Sequence, residues 1–422
     1  MNSVLDLAGF RKAPVRHQAP PLYLAVDHTL LTCSILLLSV GVVMVTSASI
    51  GVADKQFGDP FFFARRHLFY VGLGVLLASV LVRVRMVHWE KSGAALVLFS
   101  MFLLILVLIP GVGRTVNGAT RWLDLGFIGL QVSEPVRLFL LIYLAGYLVR
   151  RGSEVRISFK GFLKPLAILG LACVLILAQP DFGSAVVLLL TALGMMFLAG
   201  VRLGQFVILL VSMSSIIVTL AVSSPYRLKR LTAFLDPWSD PFNTGFQLTQ
   251  SLIAFGSGGW KGVGLGGSVQ KLFYLPEAHN DFLFAILAEE LGLIGVVFTI
   301  ALFAIVVWRS LAIGTAAERQ GSFFAAYLAY GIGLWIAIQA IINIGVNMGV
   351  LPTKGLTLPL VSAGGSSLLV MCAAIALLLR INMETTVAQG QALRTTENPQ
   401  VPKREKPKRR TAWNKGGVHR DG

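Results

Sequence analysis

Charged residues are scarce in this sequence. They make up 13% of the 422 residues, against 55% that are apolar, whereas a soluble domain has roughly 25% charged residues. This shortage excludes a water-soluble globular protein. The apolar residues form long runs, and since a membrane-spanning helix needs about 20 residues, the chain has room for roughly ten such helices. We therefore expect an all-α membrane protein with about ten transmembrane helices.

Cysteine is equally rare. Cys33, Cys173 and Cys372 each lie within an apolar run and have no CxxC spacing, which argues against both a disulfide framework and a zinc site. His279 has no HExxH motif or Cys/His cluster around it, so no metal site built by the protein is predicted. The glycine run GVGLGG at 262–267 follows no strand and predicts no nucleotide site. We expect no organic cofactor.

The apolar runs predict where the helices lie. The first run is longer than the apolar core of a signal peptide and is expected to remain as a helix. The longest connection, residues 224–280, has a length typical of a functional loop or one with short helices of its own. The runs lie near residues 28–49, 66–82, 92–111, 132–149, 162–178, 182–200, 204–223, 281–308, 323–349 and 358–379.

Basic residues predict the orientation of the chain. Most Lys and Arg residues fall on the side of the N-terminus, and the positive-inside rule then places both termini in the cytoplasm. We expect a cytoplasmic extension at 1–27, a transmembrane catalytic domain at 28–380 and a basic, disordered cytoplasmic tail at 381–422. The tail, which includes the run KREKPKRR at 403–410, directly follows the last span, and this favours a solvated tail or one that binds anionic lipid headgroups over a nucleic-acid patch.

Polar residues gather where the predicted helices reach the outer face. In LQVSEPVRL, residues 130–138, Ser133 is expected to cap the following helix, with Pro135 in its first turn. Glu134 and Arg137 are three residues apart and therefore neighbours on one helical face. An ion pair that enters the bilayer is costly, which indicates a role in function. Capping and function both remain open here.

Two further stretches carry single charges. Asp181 lies in the hairpin QPDFGS, residues 179–184, where capping of the next helix competes with a role in function. Lys354 is a lone cation in GVLPTKGLTLPLVSAGGSS, residues 349–367, among glycines and prolines that predict broken helix geometry. It suits an anionic group such as a phosphate, or it is a lysine whose ammonium reaches the membrane interface.

The most specific segment is KLFYLPEAHNDFLFAILAEELGLIG, residues 271–295. Asp281 is expected to begin a long apolar helix at the outer face, close to His279. Ala285, Ala288 and Gly292 share the face of Asp281 at 100 degrees per residue, and these small residues are expected to leave space for a ligand.

Two carboxylates lie deeper in the same predicted helix. Glu289 and Glu290 fall about 12 to 14 Å below Asp281 at 1.5 Å per residue. Since an unpaired carboxylate in the membrane is costly, we expect interior partners and a structural or gating role.

These motifs closely resemble those of the SEDS family of bacterial shape, elongation, division and sporulation proteins, and within it those of the cell-division branch. The resemblance covers residues 28–385. Val132 and Arg137 replace the usual proline and lysine of the family, and Asn280 replaces a frequent threonine. The motifs that carry the resemblance are YLPEAHNDFLFAILAEELG, LPTKGLTLPLVSAGGSS, FLDPWSDPFNTGFQLTQS, GATRWLDLG and QPDFGSA.

The resemblance implies a SEDS-type helical bundle that polymerises lipid II into peptidoglycan glycan strands. It assigns the essential carboxylate to Asp281, as the general base on the acceptor 4-hydroxyl. Departure of the lipid diphosphate would invert the donor to a β-1,4 linkage, and partial burial is expected to raise the pKa of the base modestly. A divalent cation, Mg²⁺ or Mn²⁺, held by carboxylates and phosphates is left open. The expected substrate-binding residues are Arg121, Glu134, Arg137, Asp181, His279, Lys354, Ser362 and Ser366.

The resemblance also implies partners and a location. These are the class B penicillin-binding protein FtsI, with FtsQ, FtsL and FtsB as activators, at the septum of the bacterial inner membrane, with the active site facing the periplasm. Two other functions compete with polymerisation. The bundle could flip lipid II across the bilayer, although its charged clusters are concentrated on one side, or it could act mainly as a non-catalytic scaffold for the division machinery.

Overall fold

The computed structural model is a helical bundle with one small sheet. It describes residues 25–116, 118–124, 126, 129–222, 234–272, 274–352 and 355–397. The helices are α1 (His28–Phe57), α2 (Phe62–Leu81), α3 (Met86–Leu108), α4 (Ser133–Ile157), α5 (Phe159–Ala178), α6 (Phe182–Leu198), α7 (Leu203–Val222), α8 (Phe246–Gly258), α9 (Leu283–Arg319), α10 (Phe323–Asn347) and α11 (Gly365–Glu397).

In the described part of the chain, every helix except α8 overlaps one of the ten apolar runs of the sequence, and the fold class of a helical membrane protein is confirmed. Among the described residues, seven helices are long and apolar enough to cross a membrane: α1, α2, α3, α5, α9, α10 and the Gly365–Gln391 part of α11. α6 is also apolar but shorter. α10 and α11 are the most buried of the seven, and Trp335 of α10 is among the largest fully buried side chains.

Local sequence explains how the first helix begins and ends. The side chain of Asp27 caps α1 by accepting a hydrogen bond from the backbone N–H of Leu30 at 2.9 Å. α1 ends at Gly58, which has the left-handed conformation that glycine adopts without steric cost. Arg309 of α9 donates to the Asp27 carboxylate at 2.5 and 2.9 Å, so this end of α1 is tied to α9.

A small antiparallel sheet lies between α3 and α4, where no strand was predicted. β1 (Gly113–Val116), β2 (Ala119–Asp124) and β3 (Gly129–Gln131) pair in the order β1-β2-β3. The Asn-Gly pair at 117–118 is a common hairpin signal in sequences. The backbone N–H of Gln131 donates to Ser366 Oγ at 3.1 Å, which attaches the sheet to the beginning of α11.

α9 is too long to be a simple span. Its 37 residues would extend about 55 Å as one straight helix, but Gly292 has a positive φ of 63° and breaks it. The chain at 259–264 lies against this break.

The structure describes only part of the predicted loop and part of the predicted tail. The described part of the predicted loop 224–280 contains α8. α11 continues to residue 397, so the first part of the predicted tail, 381–422, is helical rather than disordered. Residues 1–24 and 398–422 lie outside the described residues.

Candidate active site

Asp281 lies just before α9 and is half-buried. Its backbone carbonyl accepts hydrogen bonds from Nδ2 of Asn343 at 3.0 Å and of Asn347 at 2.9 Å. Both asparagines are buried in α10. The side-chain oxygen of Asn347 accepts from the backbone N–H of Ala285 at 3.1 Å. α10 therefore fixes both the peptide of Asp281 and the first turn of α9.

The same face of α10 holds a second segment. Asn343 Nδ2 donates to the carbonyl of Leu356 at 2.5 Å, and Gln339 Nε2 donates to that of Thr357 at 3.0 Å. Gln339, Asn343 and Asn347 are spaced by four residues, so they lie on one side of the helix. These three amides, called here the amide stripe, align the chain at 356–357 with the chain at 281.

The sequence analysis missed the amide stripe. Its signal was nevertheless present, because three amide side chains at a spacing of four in an otherwise apolar helix must find polar partners inside the membrane.

Gly355 is in direct contact with the Asp281 carboxyl group. A Cβ atom at position 355 would lie 3.0 Å from Asp281 Oδ2, so the carboxyl oxygen is packed against the glycine backbone. Lys354, the next residue, lies outside the described residues, and its predicted role is not addressed by the structure. Because glycine has no side chain, position 355 leaves space beside the carboxyl group of Asp281.

The surroundings of Asp281 make it a base that titrates near neutrality. Burial raises the pKa of its carboxyl group to about 7, and the negative charge of Glu277 adds to this. The positive charge of Arg121 lowers the pKa, and the carboxylate of Asp181 raises it. At neutral pH the carboxyl group is therefore populated in both its protonated and its ionised form.

His279 lies against α2 and the chain before α11. Its ring centroid is 4.9 Å from that of Phe63, and its carbonyl accepts from the backbone N–H of Ala363 at 3.1 Å. Burial lowers the pKa of the imidazole, and the charge of Glu277 partly opposes this. The neighbouring Asn280 donates from Nδ2 to Glu277 Oε2 at 2.5 Å. The neutral imidazole is thus favoured next to the carboxyl group of Asp281.

Asp181 is buried at the centre of a polar network. Its Oδ2 accepts from Gln131 Nε2 at 3.1 Å and from the hydroxyls of Ser133 and Ser184 at 2.8 Å each. Its Oδ1 accepts from the backbone N–H of Ser184 at 3.2 Å, and Asp181 is the N-cap of α6, as the capping interpretation predicted. The prediction that Ser133 caps α4 is wrong. Val132 occupies the cap position without a side-chain bond, because the Ser133 hydroxyl is bound to Asp181.

Arg121, on β2, lies beside Asp181, and its charge acts on Asp281. Its guanidinium lies 4.0 Å from Asp181 Oδ1, and its side chain is 24% exposed. The Nε of Arg121 is buried and has no hydrogen-bond partner among the described residues. The structure therefore brings three predicted residues, Asp281, Asp181 and Arg121, into one electrostatic cluster. The guanidinium has both an accessible side and an unused donor.

Glu134 and Arg137 lie in the interior of the bundle. They are 3% and 1% exposed, and Arg137 NH1 is 3.4 Å from Glu134 Oε2. The same nitrogen donates to Gln339 Oε1 at 2.8 Å, and the guanidinium packs over the Trp335 ring at 5.2 Å. In the structure the pair supports the amide stripe, and its predicted contact with substrate stays a prediction.

Ser362 and Ser366 are also buried and bound to backbone. Ser362 Oγ accepts from the N–H of Leu358 at 3.0 Å, and Ser366 Oγ accepts from Gln131 as described above. The Ser362 hydroxyl holds a turn in place and the Ser366 hydroxyl joins β3 to α11, and substrate binding by them stays a prediction.

The expectation that small residues of α9 leave space for a ligand is wrong. Ala285 and Ala288 are buried, and Gly292 is the break in the helix. A Cβ at Gly258 would lie 2.0 Å from the carbonyl oxygen of Ala288, and one at Gly292 would lie 2.3 Å from the nitrogen of Gly262. The small residues therefore admit the chain that follows α8.

The expected interior partners of the deeper carboxylates are confirmed. Glu289 accepts from the Ser268 hydroxyl and from the backbone N–H of Val269 at 3.1 Å. Glu290 accepts from Ser47 Oγ at 2.7 Å and from Lys271 Nζ at 2.7 Å. Both carboxylates bind the loop that follows α8 and hold it against α9.

A protein-built metal centre finds no support in the described part of the chain. There, no group of three or more His, Cys, Asp or Glu side chains is placed to hold a metal ion. Asp281 and the exposed Glu277 are single oxygen donors. With Asp281 in the role of a base, Glu277 is the carboxylate that fits a cation whose other ligands come from substrate phosphates and water, as Mg²⁺ often has.

Known proteins are similar to this chain in sequence and in fold. The family model FtsW/RodA/SpoVE, described as cell cycle protein, matches residues 27–387. A relative in Thioalkalivibrio sulfidiphilus, named probable peptidoglycan glycosyltransferase FtsW, is 60% identical over 84% of this chain and 89% of its own length. A relative of the same name in Coxiella burnetii is 55% identical over 85% of this chain and 96% of its own.

Solved structures agree with the sequence relatives. One chain comes from a structure described as structural coordination of polymerization and crosslinking by a peptidoglycan synthase complex. It is 30% identical, with a TM-score of 0.71, over 86% of this chain and 99% of that one. The rod shape determining protein RodA of Thermus thermophilus is 28% identical, with a TM-score of 0.63, over 86% of this chain and 98% of its own.

Proposed function

The chain belongs to the FtsW/RodA/SpoVE family of cell cycle proteins, and on that premise we propose that it is a peptidoglycan glycosyltransferase that polymerises lipid II. It is a multi-pass membrane protein. Relatives that match this chain over most of their length are named probable peptidoglycan glycosyltransferase FtsW.

The observation that supports this function best is the environment of Asp281. Its carboxyl group is half-buried, is positioned through a backbone carbonyl held by two buried amides, and has a pKa of about 7. A general base works best when its pKa lies near the working pH. An aspartate with its ordinary pKa near 3.9 would be a weaker base for a sugar hydroxyl.

In the proposed reaction the ionised Asp281 accepts the proton of the acceptor 4-hydroxyl. The hydroxyl oxygen attacks the anomeric carbon of the donor sugar and forms the glycosidic bond. The bond from that carbon to the diphosphate oxygen breaks, and the lipid diphosphate leaves with the electron pair. Direct displacement inverts the α-linked donor to a β-1,4 linkage.

Arg121 is the described cation best placed for the leaving group. It shares the electrostatic environment of Asp281, and its side chain is 24% exposed. A guanidinium binds phosphate oxygens in a fixed geometry, so Arg121 would stabilise the charge that develops on the diphosphate. Asp181 would orient Arg121, and neutral His279 would form part of the wall beside the acceptor. A divalent cation, Mg²⁺ or Mn²⁺, would supply further charge stabilisation to the diphosphate.

We also propose a partner and a cellular location. One similar structure is of a peptidoglycan synthase complex that couples polymerization to crosslinking. This supports a class B penicillin-binding protein as the partner. We assign that role to FtsI, with FtsQ, FtsL and FtsB as activators. We place it at the division septum of the inner membrane, in keeping with relatives named FtsW. The distribution of basic residues supports an orientation with Asp281 facing the periplasm and both termini in the cytoplasm.

Two assays on the purified protein test this function against its alternatives. In the first, lipid II is supplied to the chain with and without the partner, and glycan products are separated by length. In the second, labelled lipid II is placed in one leaflet of vesicles that contain the chain. We expect polymer in the first assay and no transbilayer movement in the second. Movement without polymer would replace the enzyme by a flippase, and neither activity would favour a scaffold.

A further inference from the structure

The bundle carries two charged layers that mark the boundaries of its apolar part. At one end Arg309 of α9 pairs with Asp27 at the start of α1. At the other end Lys271 pairs with Glu290, which also accepts from Ser47 of α1. Ser47 lies 20 residues beyond Asp27, or about 30 Å along the helix at 1.5 Å per residue. This is the thickness of a bilayer core, so the Lys271 layer lies where hydrocarbon ends on the Asp281 side.

The chain after α8 extends from the Lys271 layer into the hydrocarbon region. The N–H groups of Leu293 and Ile294 donate to the carbonyls of Gly259 and Trp260 at 2.9 and 3.3 Å. Ile294 is 15 residues from Arg309, or about 22 Å along α9. The backbone of Trp260 therefore lies about 6 to 8 Å on the hydrocarbon side of the Lys271 layer, if α9 runs along the membrane normal.

The backbone at this depth has its polar groups paired. Besides the two bonds above, the N–H groups of Val263 and Gly264 donate to the carbonyls of Glu289 and Glu290 at 2.9 and 3.1 Å. These bonds occupy the polar groups freed by the break at Gly292. Irregular backbone at membrane depth is tolerated when protein pairs it in this way.

The side chains on the outside of this segment are apolar and exposed. Trp260 is 75% exposed, Leu265 is 61% and Val263 is 48%. They continue the exposed surface of α9, where Ile294 is 62% and Val297 is 56% exposed. Because this surface is continuous with that of a membrane-spanning helix, it contacts lipid as the helix does.

The chemistry of this surface matches the boundary between headgroups and acyl chains. Tryptophan is enriched at that level because its ring is apolar while its N–H needs a polar partner. Lys261 follows Trp260 and is exposed, so its ammonium can extend to lipid phosphates. Trp308, 61% exposed beside Arg309, occupies the corresponding level at the opposite end.

We propose that the surface formed by Trp260, Lys261, Val263 and Leu265 inserts into the lipid leaflet on the Asp281 side. Of the three apolar residues, Trp260 has the deepest backbone, and its indole extends from there toward the headgroup boundary, while Val263 and Leu265 contact the parts of the acyl chains nearest the headgroups. The lipid thereby holds the loop against the break in α9, a few turns from Asp281. This anchor does not depend on the proposed enzymatic function.

Fluorescence quenching in lipid bilayers tests this placement. Trp260→Cys is labelled with an environment-sensitive fluorophore and reconstituted with lipids that carry a nitroxide near the headgroup or deep in the acyl chain, and with aqueous iodide as a third quencher. The native cysteines are buried, and the unsubstituted protein measures background labelling. Phe298→Cys, about 16 Å from Arg309 along α9, is the deep control. Gln56→Cys, exposed and about 13 Å beyond Ser47 along α1, is the aqueous control.

We expect the label at 260 to lose more fluorescence with the shallow nitroxide than with the deep one, and little with iodide. The label at 298 should show the opposite order between the two lipids, and the label at 56 should respond to iodide. Quenching at 260 that matches position 56 would overturn the proposal. So would protection from all three quenchers, which would mean that another protein chain covers the surface.

A second measurement uses the native tryptophan and needs no labelled variant. Brominated lipids quench tryptophan on contact, so the intact chain should lose a fraction of its fluorescence that Trp260→Phe no longer loses. An equal loss in the two proteins would contradict insertion of Trp260.

Discussion

The pH dependence of polymerisation follows from the charges around Asp281. Because the ionised carboxylate is the proposed base and its pKa is about 7, the active fraction rises with pH through neutrality. About half of the molecules are ionised at pH 7, about a tenth at pH 6 and about nine tenths at pH 8. We expect kcat/KM, which reports the free enzyme, to fall about fivefold from pH 7 to pH 6 and to rise about twofold from pH 7 to pH 8.

Two substitutions should move this profile in opposite directions. Glu277→Gln removes a negative charge that raises the pKa of Asp281, so the midpoint should shift to lower pH. Arg121→Gln removes a positive charge that lowers this pKa, so the midpoint should shift to higher pH, whatever happens to the maximal rate. Glu154→Gln, at the far end of α4, is the control and should leave the midpoint unchanged. A flat profile from pH 6 to 8, or shifts of the same sign in both variants, would refute the assignment.

Three predictions concern the packing that holds the site. Asn347→Leu leaves buried partners without hydrogen bonds, at about 1 to 3 kcal/mol each. It should therefore lower the melting temperature in detergent, and its effect on kcat should be larger than its effect on KM. Unchanged values would contradict its positioning role. Lys271→Met should cost about 3 to 5 kcal/mol by leaving the Glu290 carboxylate unpaired, and adding Glu290→Leu should restore much of this in a thermal double-mutant cycle, whereas additive losses would show no coupling. Gly292→Ala should destabilise the protein because of the positive φ and the 2.3 Å contact, whereas Gly72→Ala in α2, which meets open space, should be neutral or stabilising; equal effects would contradict this account of the break.

The sequence predicts the helices well because long apolar runs have few alternatives in a membrane. The sequence also predicts the candidate site around Asp281, because charged residues at helix ends stand out among apolar residues. The small sheet was missed because its strands are short and polar, although Asn-Gly at 117–118 marks its hairpin. The space expected beside Ala288 was wrong because helical periodicity shows which residues share a face but not which segment packs there.

The connections between distant residues could not be predicted from spacing. The bonds from Asn343 and Asn347 to the carbonyl of Asp281 join positions about sixty residues apart. Local rules offer a helix cap as one role for Ser133, but its hydroxyl binds Asp181, 48 residues away. Local rules describe how a helix begins, whereas tertiary contacts decide which polar partner a side chain finds.

The most direct test of the central claim is lipid II polymerisation by Asp281→Asn together with the partner. The substitution keeps the size of the side chain and leaves the backbone carbonyl held by the amide stripe, so folding and complex formation should be retained. Loss of a general base typically costs about 10² to 10⁴ in rate, and we predict a loss of glycan product of at least this order. Polymerisation at the unsubstituted rate, with products of normal length, would contradict the role of Asp281 as the base.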